Sequence, residues 1–250
     1  MINILDRVAR TFPSAQTSQF LPETPSEFLA LRLASRFGDE AAVRHYLALA
    51  ECYGDDRLLT AYRRVRHRGC HTNPGRHFLE ELKRLSSNDS DDHDVTSRRL
   101  AAIRIERRAV AVVTLSGEHL DSEPMVRQLS SDGDKALDST VAFITRLLEK
   151  RPFTVAAMEI LPNREEAQRT LLDQAIIKAL SESRQPVSIW RVSKQEVLAA
   201  YGFPRLRFRN QVREAIERIF PGSNGSFGGH LIKDALALGL YCQIEHLLNL

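Results

Sequence analysis

The first third of the chain shows apolar residues three and four positions apart, the spacing of amphipathic helices. This pattern predicts four helices between residues 1 and 85. Their candidate N-terminal caps are Ser26, Asp39, Asp55 or Asp56, and the fourth helix starts near Pro74. Glycines at 38, 54 and 69 mark the ends of the first three. Because each apolar face needs a partner, we predict an all-α domain of helical hairpins over residues 1–85.

Residues 86–98, SSNDSDDHDVTSR, are polar and acidic and contain almost no apolar side chain. Such a segment has too little apolar surface to pack into a core. It is predicted to be a linker, which separates the helical domain from a second domain over residues 99–250.

Alternating and β-branched apolar runs replace the helical pattern after the linker. Leu100–Glu106 and Ala109–Leu115 are predicted strands, and Glu123–Leu129 is a weaker third one. Short turns between them predict an antiparallel meander. A helix is expected over Asp138–Lys150.

The apolar run Phe153–Ile160 lies between Pro152 and Pro162 and has the length of a buried strand. A long helix capped by Asn163 and a further strand at Pro186–Val192 are predicted to follow it. Ser193 then caps a short helix, and two more helices span about 208–220 and 230–248. Alternating strands and helices favour parallel pairing and an α/β fold for residues 99–250.

Composition adds limited information about function. The 250 residues carry a formal net charge of +3, which is compatible with nucleic-acid binding but does not establish it. Three cysteines without a CxxC pair suggest reduced thiols. No apolar run has the length of a membrane span, and the N-terminus lacks the features of a signal peptide. We therefore expect a cytoplasmic protein without a membrane segment.

Three carboxylates stand in or beside apolar segments. Glu159 ends the strand at 153–160, Asp234 lies within the nearly all-apolar last helix, and Glu106 ends the first strand of the meander. A buried carboxylate needs a cation, a hydrogen bond or a metal. The three are therefore candidate ligands of Mg²⁺ or Mn²⁺. The alternative is local pairing, of Glu106 with Arg107 or Arg108 and of Asp234 with Lys233 or a backbone amide.

Three segments carry a family resemblance: FTVAAMEI at 153–160, PVSIWRVSKQEVLAAYG at 186–202 and KDALALGLYC at 233–242. Together with the order of elements, they resemble the RuvC-like Holliday junction resolvases of the ribonuclease H-like superfamily. The resemblance covers residues 100–250. It implies a mixed sheet with flanking helices, a metal-dependent endonuclease with Glu106, Glu159 and Asp234 as catalytic metal ligands, and DNA or RNA as partner, branched or single-stranded. A homodimer is left open.

Two departures from the family pattern bear on activity. The first strand continues as IERRA, so Glu106 stands at the family's aspartate position without the Pro-Gly turn. The additional acidic position before the last aspartate holds Leu231. Two hypotheses follow, a nucleic-acid-binding endonuclease with an altered site and an inactive module with a structural or protein-interaction role.

Basic residues accumulate before and within the penultimate helix, at Arg205, Arg207, Arg209 and Arg213. They are candidate phosphate contacts beside the carboxylates. The alternative is a solvated helix with ordinary ion pairs along its surface.

Overall fold

The computed structural model describes residues 20–69, 74–87, 99–116, 119–161, 167–203, 209–221 and 229–249, without the side chains of 246 and 247. Contacts divide the chain into two units. The first comprises residues up to 96 with 200–202 and 244–250, and the second comprises 97–199 and 203–243. Most of the predicted linker lies outside the described residues, so the predicted domain division stays a prediction.

In its described residues up to 87, the helical unit contains four α-helices, as the apolar pattern predicted: α1 (Pro25–Phe37), α2 (Val43–Tyr53), α3 (Asp55–His67) and α4 (Pro74–Ser87). The N-cap of α1 is Thr24, which forms a capping box with Glu27. The expected cap, Ser26, is wrong because its hydroxyl donates to Asp55, at the start of α3, over 2.6 Å. Gly38 ends α1 with a positive φ of 69°, a conformation that glycine adopts without strain.

Two buried glutamates in this unit are each held by a pair of arginines. Glu81 on α4, 3% exposed, accepts from Arg64 over 3.1 Å and from Arg68 over 2.7 Å. Glu245 accepts from Arg32 and Arg36 of α1. The arginines supply the charge compensation that a buried carboxylate requires.

The second unit is built on one mixed sheet. Its strands are β1 (Arg99–Glu106), β2 (Ala109–Ser116), β3 (His119–Leu120), β4 (Met125–Gln128), β5 (Val155–Glu159) and β6 (Ser188–Val192). The order is β3-β2-β1-β5-β6, with β4 also pairing to β2. Strand β2 is antiparallel to β1, whereas β5 and β6 run parallel to β1. The predicted third strand, Glu123–Leu129, is observed as β4, and the short strand β3 was not predicted.

Helices cover the sheet: α5 (Gly133–Lys150), α6 (Ala167–Ser181), α7 (Lys194–Ala200), α8 (Arg209–Ile219) and α9 (Gly229–Asn249). A meander joined to two parallel crossover strands with flanking helices is the ribonuclease H-like fold, so the predicted fold class is confirmed. Helix α5 begins five residues before the predicted Asp138, because Asp132 caps it. The capping residue predicted for α6, Asn163, lies outside the described residues.

The two faces of β1 are packed differently. Ala101, Ile103 and Ile105 belong to a core that includes side chains of α5 and α6. Ala102, Arg104 and Glu106 share the opposite face because side chains alternate along a strand. On that face α9 comes so close that a Cβ on Gly239 would lie 3.1 Å from Ala102 Cβ. The charged residues of β1 therefore point toward the α9 side of the sheet.

Within the described residues, no helix is long and apolar enough to cross a membrane. Cys52 and Cys242 are free thiols, the first exposed and the second buried.

Candidate functional site: an arginine-bridged carboxylate cluster

The carboxyl ends of β1 and β5 bring two opposite charges together. The parallel register pairs Ile103 with Met158, so the next positions, Arg104 and Glu159, are neighbours. The Arg104 guanidinium contacts the Glu159 carboxylate, and their side chains are only 6% and 13% exposed. The cation beside Glu159 was not predicted from the sequence, which drew attention only to Glu106 on β1.

Asp234, on the first turns of α9, lies at the centre of the charged cluster. Arg213 donates to it twice, from Nε over 2.8 Å and from a terminal nitrogen over 3.0 Å. Arg209 also donates to both oxygens of this carboxylate, and its Nε lies 3.2 Å from Oδ1. Arg104 Nε lies 4.0 Å from Oδ2. One nearly buried carboxylate thus has three guanidinium neighbours.

Glu106 joins the cluster from the end of β1. Its Oε1 lies 3.4 Å from an Arg209 terminal nitrogen, and its side chain is 45% exposed. The structure therefore brings together all three sequence-predicted carboxylates, but arginines lie between them. We call Glu106, Glu159 and Asp234 the carboxylate set, and Arg104, Arg209 and Arg213 the arginine triad.

Lys233, one of the two local partners considered as an alternative for Asp234, does not pair with it. Lys233, the preceding residue on α9, donates instead to Glu217 of α8 over 2.6 Å. Consecutive helix residues point about 100° apart, so neighbours in sequence do not share a face. Asp234 faces the arginines of α8 and β1.

Lys194, the first residue of α7, adds a fourth cation to the pocket at this edge. The pocket is lined by charged residues, Arg104, Glu159, Lys194, Arg209 and Asp234, and by apolar ones, Val197, Leu198, Val212, Ala237 and Leu238. Among the described residues, Lys194 has no hydrogen bond or ion pair to a carboxylate. Burial, followed by the charges of Arg209, Arg104, Arg213 and Arg169, lowers its pKa to about 8.

The electrostatic balance of the pocket is positive. Four cations, the arginine triad and Lys194, face the three carboxylates of the set, which leaves one net positive charge. Burial and the charge of Arg209 also lower the pKa of Arg213. The crowding of like charges at Arg213 and Lys194 shows that cations outnumber their counterions here.

The residues present do not fit a divalent cation. A metal site needs carboxylate oxygens that converge on one point and a negative local charge. Here each carboxylate already contacts a guanidinium, and the local sum is positive. Within the described ranges, no group of three or more His, Cys, Asp or Glu side chains is arranged to hold a metal ion.

The predicted phosphate contacts divide into two groups. Arg205 and Arg207 lie outside the described residues, so their role stays a prediction. Arg209 and Arg213 face Asp234, with side chains 27% and 14% exposed. Their first contact is therefore with a carboxylate of the same pocket.

Sequence reasoning missed Arg104 and Lys194. A signal for Arg104 is present, because a lone arginine interrupts the apolar strand LAAIRIE. Such a residue needs a buried anion nearby, and Glu159 was already predicted to be one. Lys194 follows a strand and its capping serine, which places it at the same edge of the sheet.

Solved structures with similar folds include RuvC and a Holliday junction resolvase. Thermus thermophilus RuvC is 16% identical, with a TM-score of 0.48 over 59% of this chain and 95% of that one. The same protein in complex with Holliday junction substrate is 15% identical, with a TM-score of 0.49 over 59% of this chain and 94% of that one. The yeast mitochondrial Holliday junction resolvase Ydc2 is 12% identical, with a TM-score of 0.43 over 78% of this chain and 93% of that one. No protein-family model matches the sequence, and no curated protein is significantly similar to it. These identities and TM-scores are too low to assign a function to this chain by similarity.

Proposed function

We propose that this protein binds nucleic acid through the positively charged pocket around Lys194. The observation that carries the proposal is the position of that lysine. It is half-buried among four arginines, without a carboxylate partner among the described residues. A cation in such surroundings is stabilised by an incoming anion, and a phosphodiester supplies one.

The lining of the pocket suits a backbone phosphate, because it combines charged groups from β1, β5, α7, α8 and α9 with apolar side chains of α7, α8 and α9. Phosphate contacts of this kind position a nucleic acid without reading its sequence. The predicted contacts Arg205 and Arg207 belong to the same proposal, because they precede α8 in the chain. The proposed ligand is DNA or RNA, either branched or single-stranded.

The experiment is a titration of labelled duplex, single-stranded and four-way-junction DNA, followed by fluorescence anisotropy at several salt concentrations. Wild-type affinity is expected to fall steeply with salt, because each neutralised phosphate releases counterions. Lys194→Glu should weaken binding to all three probes by about tenfold or more, since reversal replaces attraction by repulsion. Arg205→Glu with Arg207→Glu should weaken all three in the same way.

Lys178→Glu is the matched control. It makes the same change in net charge on α6, where Lys178 is 73% exposed and lies 3.9 Å from Glu182. Binding should stay within about twofold of wild type in this variant, since single distant surface charges change such binding little. Equal losses in both lysine variants, or no wild-type binding at low salt, would leave the protein-interaction role as the better proposal.

A further inference from the structure

We infer that the arginine triad replaces divalent cations as the counterion of the carboxylate set, so that the pocket holds nucleic acid without a metal and without hydrolysing it. The inference rests on the proposed function for the binding of nucleic acid and on the contacts of the pocket for the absence of a metal site. It favours a protein that binds nucleic acid without cleaving it over a metal-dependent endonuclease.

The first step is the pairing of β1 with β5. The parallel register that pairs Ile103 with Met158 brings the next residues, Arg104 and Glu159, side by side. A divalent ion beside Glu159 needs further oxygen ligands. The β1 residue at that position is an arginine, whose guanidinium is never deprotonated under ordinary conditions, and the carboxylate of β1, Glu106, contacts Arg209 instead. A dication beside Glu159 would therefore meet a fixed positive charge instead of a ligand.

The second step is the occupation of Asp234. Arg213 binds both of its oxygens through two parallel N–H donors, the geometry in which guanidinium and carboxylate match best. Arg209 contacts the same carboxylate and Glu106. A metal could reach these oxygens only by displacing arginine contacts, and the displaced guanidinium groups would stay nearby.

The consequence for chemistry is direct. In metal-dependent phosphodiester hydrolysis, the metals activate water and stabilise the attacking and leaving oxygens. A pocket whose carboxylates are neutralised by arginine holds no metal that could do either. Its positive surplus still attracts phosphate, so binding and cleavage are separated in this protein.

The first test uses wild-type protein. Thermal unfolding is followed with EDTA and then with millimolar MnCl₂, MgCl₂ or CaCl₂. A folded-state metal site must raise the melting temperature in a saturable way, so no ion-specific rise is expected here. A saturable rise with Mn²⁺ or Mg²⁺ in the wild type would overturn the inference.

The second test converts the arginine into a ligand. Arg104→Asp places a carboxylate on β1 beside Glu159, whereas Arg104→Gln removes the same charge without adding an anion. We expect a Mn²⁺-dependent rise in melting temperature in the Asp variant and none in the Gln variant. Absence of that rise contradicts the role given to Arg104. If the Asp variant does not fold, Arg209→Gln tests the same idea, because it removes the cation between Glu106 and Asp234.

Failure of this inference and failure of the proposed function give different results. If the affinity for nucleic acid is equal in EDTA and in MgCl₂ and no cleavage products form, the inference and the proposed function are both supported. Affinity that requires MgCl₂, together with cleavage, overturns the inference and keeps the proposed function. No binding in either condition removes the proposed function, and the unfolding experiments still decide whether the pocket takes a metal.

Discussion

Arg104 on β1 and Glu159 on β5 form an ion pair between two parallel strands, so a cation neutralises a side chain that the sequence suggested as a metal ligand. The strand register puts them side by side, and the side chains contact each other while almost fully buried. The strand register thus brings the two charges together, and Arg104 neutralises Glu159.

A double-mutant cycle on this pair gives the first prediction. Glu159→Gln and Arg104→Met should each lower the free energy of unfolding by about 3–5 kcal/mol, because each leaves one buried charge without its partner. The double variant should lose less than the sum, by roughly 0.5–3 kcal/mol, as residues in contact do. Urea titrations of the four proteins measure the difference. Additive losses would mean that the two charges do not interact.

The second prediction concerns the close contact between α9 and the sheet. A Cβ on Gly239 would lie 2.8 Å from Leu115 Cδ1 and 3.1 Å from Ala102 Cβ, and both neighbours are fully buried. Gly239→Ala should therefore destabilise by about 1–3 kcal/mol, although alanine favours helices by about 1 kcal/mol over glycine. Gly133→Ala at the start of α5 is the control, because nothing lies within 4 Å of its Cβ position. Thermal unfolding should separate the two, and equal effects would contradict the close packing.

The third prediction is a pH dependence in the helical unit. Burial raises the pKa of Glu81, but the hydrogen bonds and charges of Arg64 and Arg68 together lower it by a larger amount. The net shift of the pKa is therefore downward. Stability from this group is then fully present above the unfolded-chain pKa of about 4.3 and is lost as the pH falls through the lower folded value. Wild type should lose more unfolding free energy than Glu81→Gln between pH 6 and roughly pH 3.

Glu80→Gln provides the control for that experiment. Glu80 is the preceding residue on α4, is 54% exposed and pairs with Arg76 on the surface. Exposed pairs of this type contribute little, so its pH profile should match wild type. A Glu81→Gln profile parallel to wild type would show that the arginine pair does not shift the carboxyl group.

The sequence predicted the strands well because their apolar runs are short and bounded by polar residues or prolines. β1, β5 and β6 lie within two residues of their predicted limits. The start of α5 was missed because SSDGD resembles a loop, although Asp132 is a good helix cap. The two nearly buried carboxylates, Glu159 and Asp234, were also identified. Their partners were not, because strand register and the contact between α8 and α9 depend on residues far apart in the chain.

The last prediction follows the charge of Lys194 during binding. In the free protein its pKa is lowered to about 8, first by burial and then by the surrounding arginines. A bound phosphate favours the charged form and raises that pKa, so affinity should fall as the pH rises above about 8, where the free lysine loses its proton.

Lys194→Arg should remove this dependence, because a guanidinium keeps its charge throughout that range. Near pH 7 the two proteins should bind alike, and above pH 9 the arginine variant should bind more tightly. The slope of log affinity against log salt for duplex DNA should become shallower by about 0.9 in wild type alone as the lysine deprotonates. Anisotropy titrations across this pH range measure both quantities. Parallel pH profiles would place the phosphate contact elsewhere, since the only change between the proteins is the titrating group.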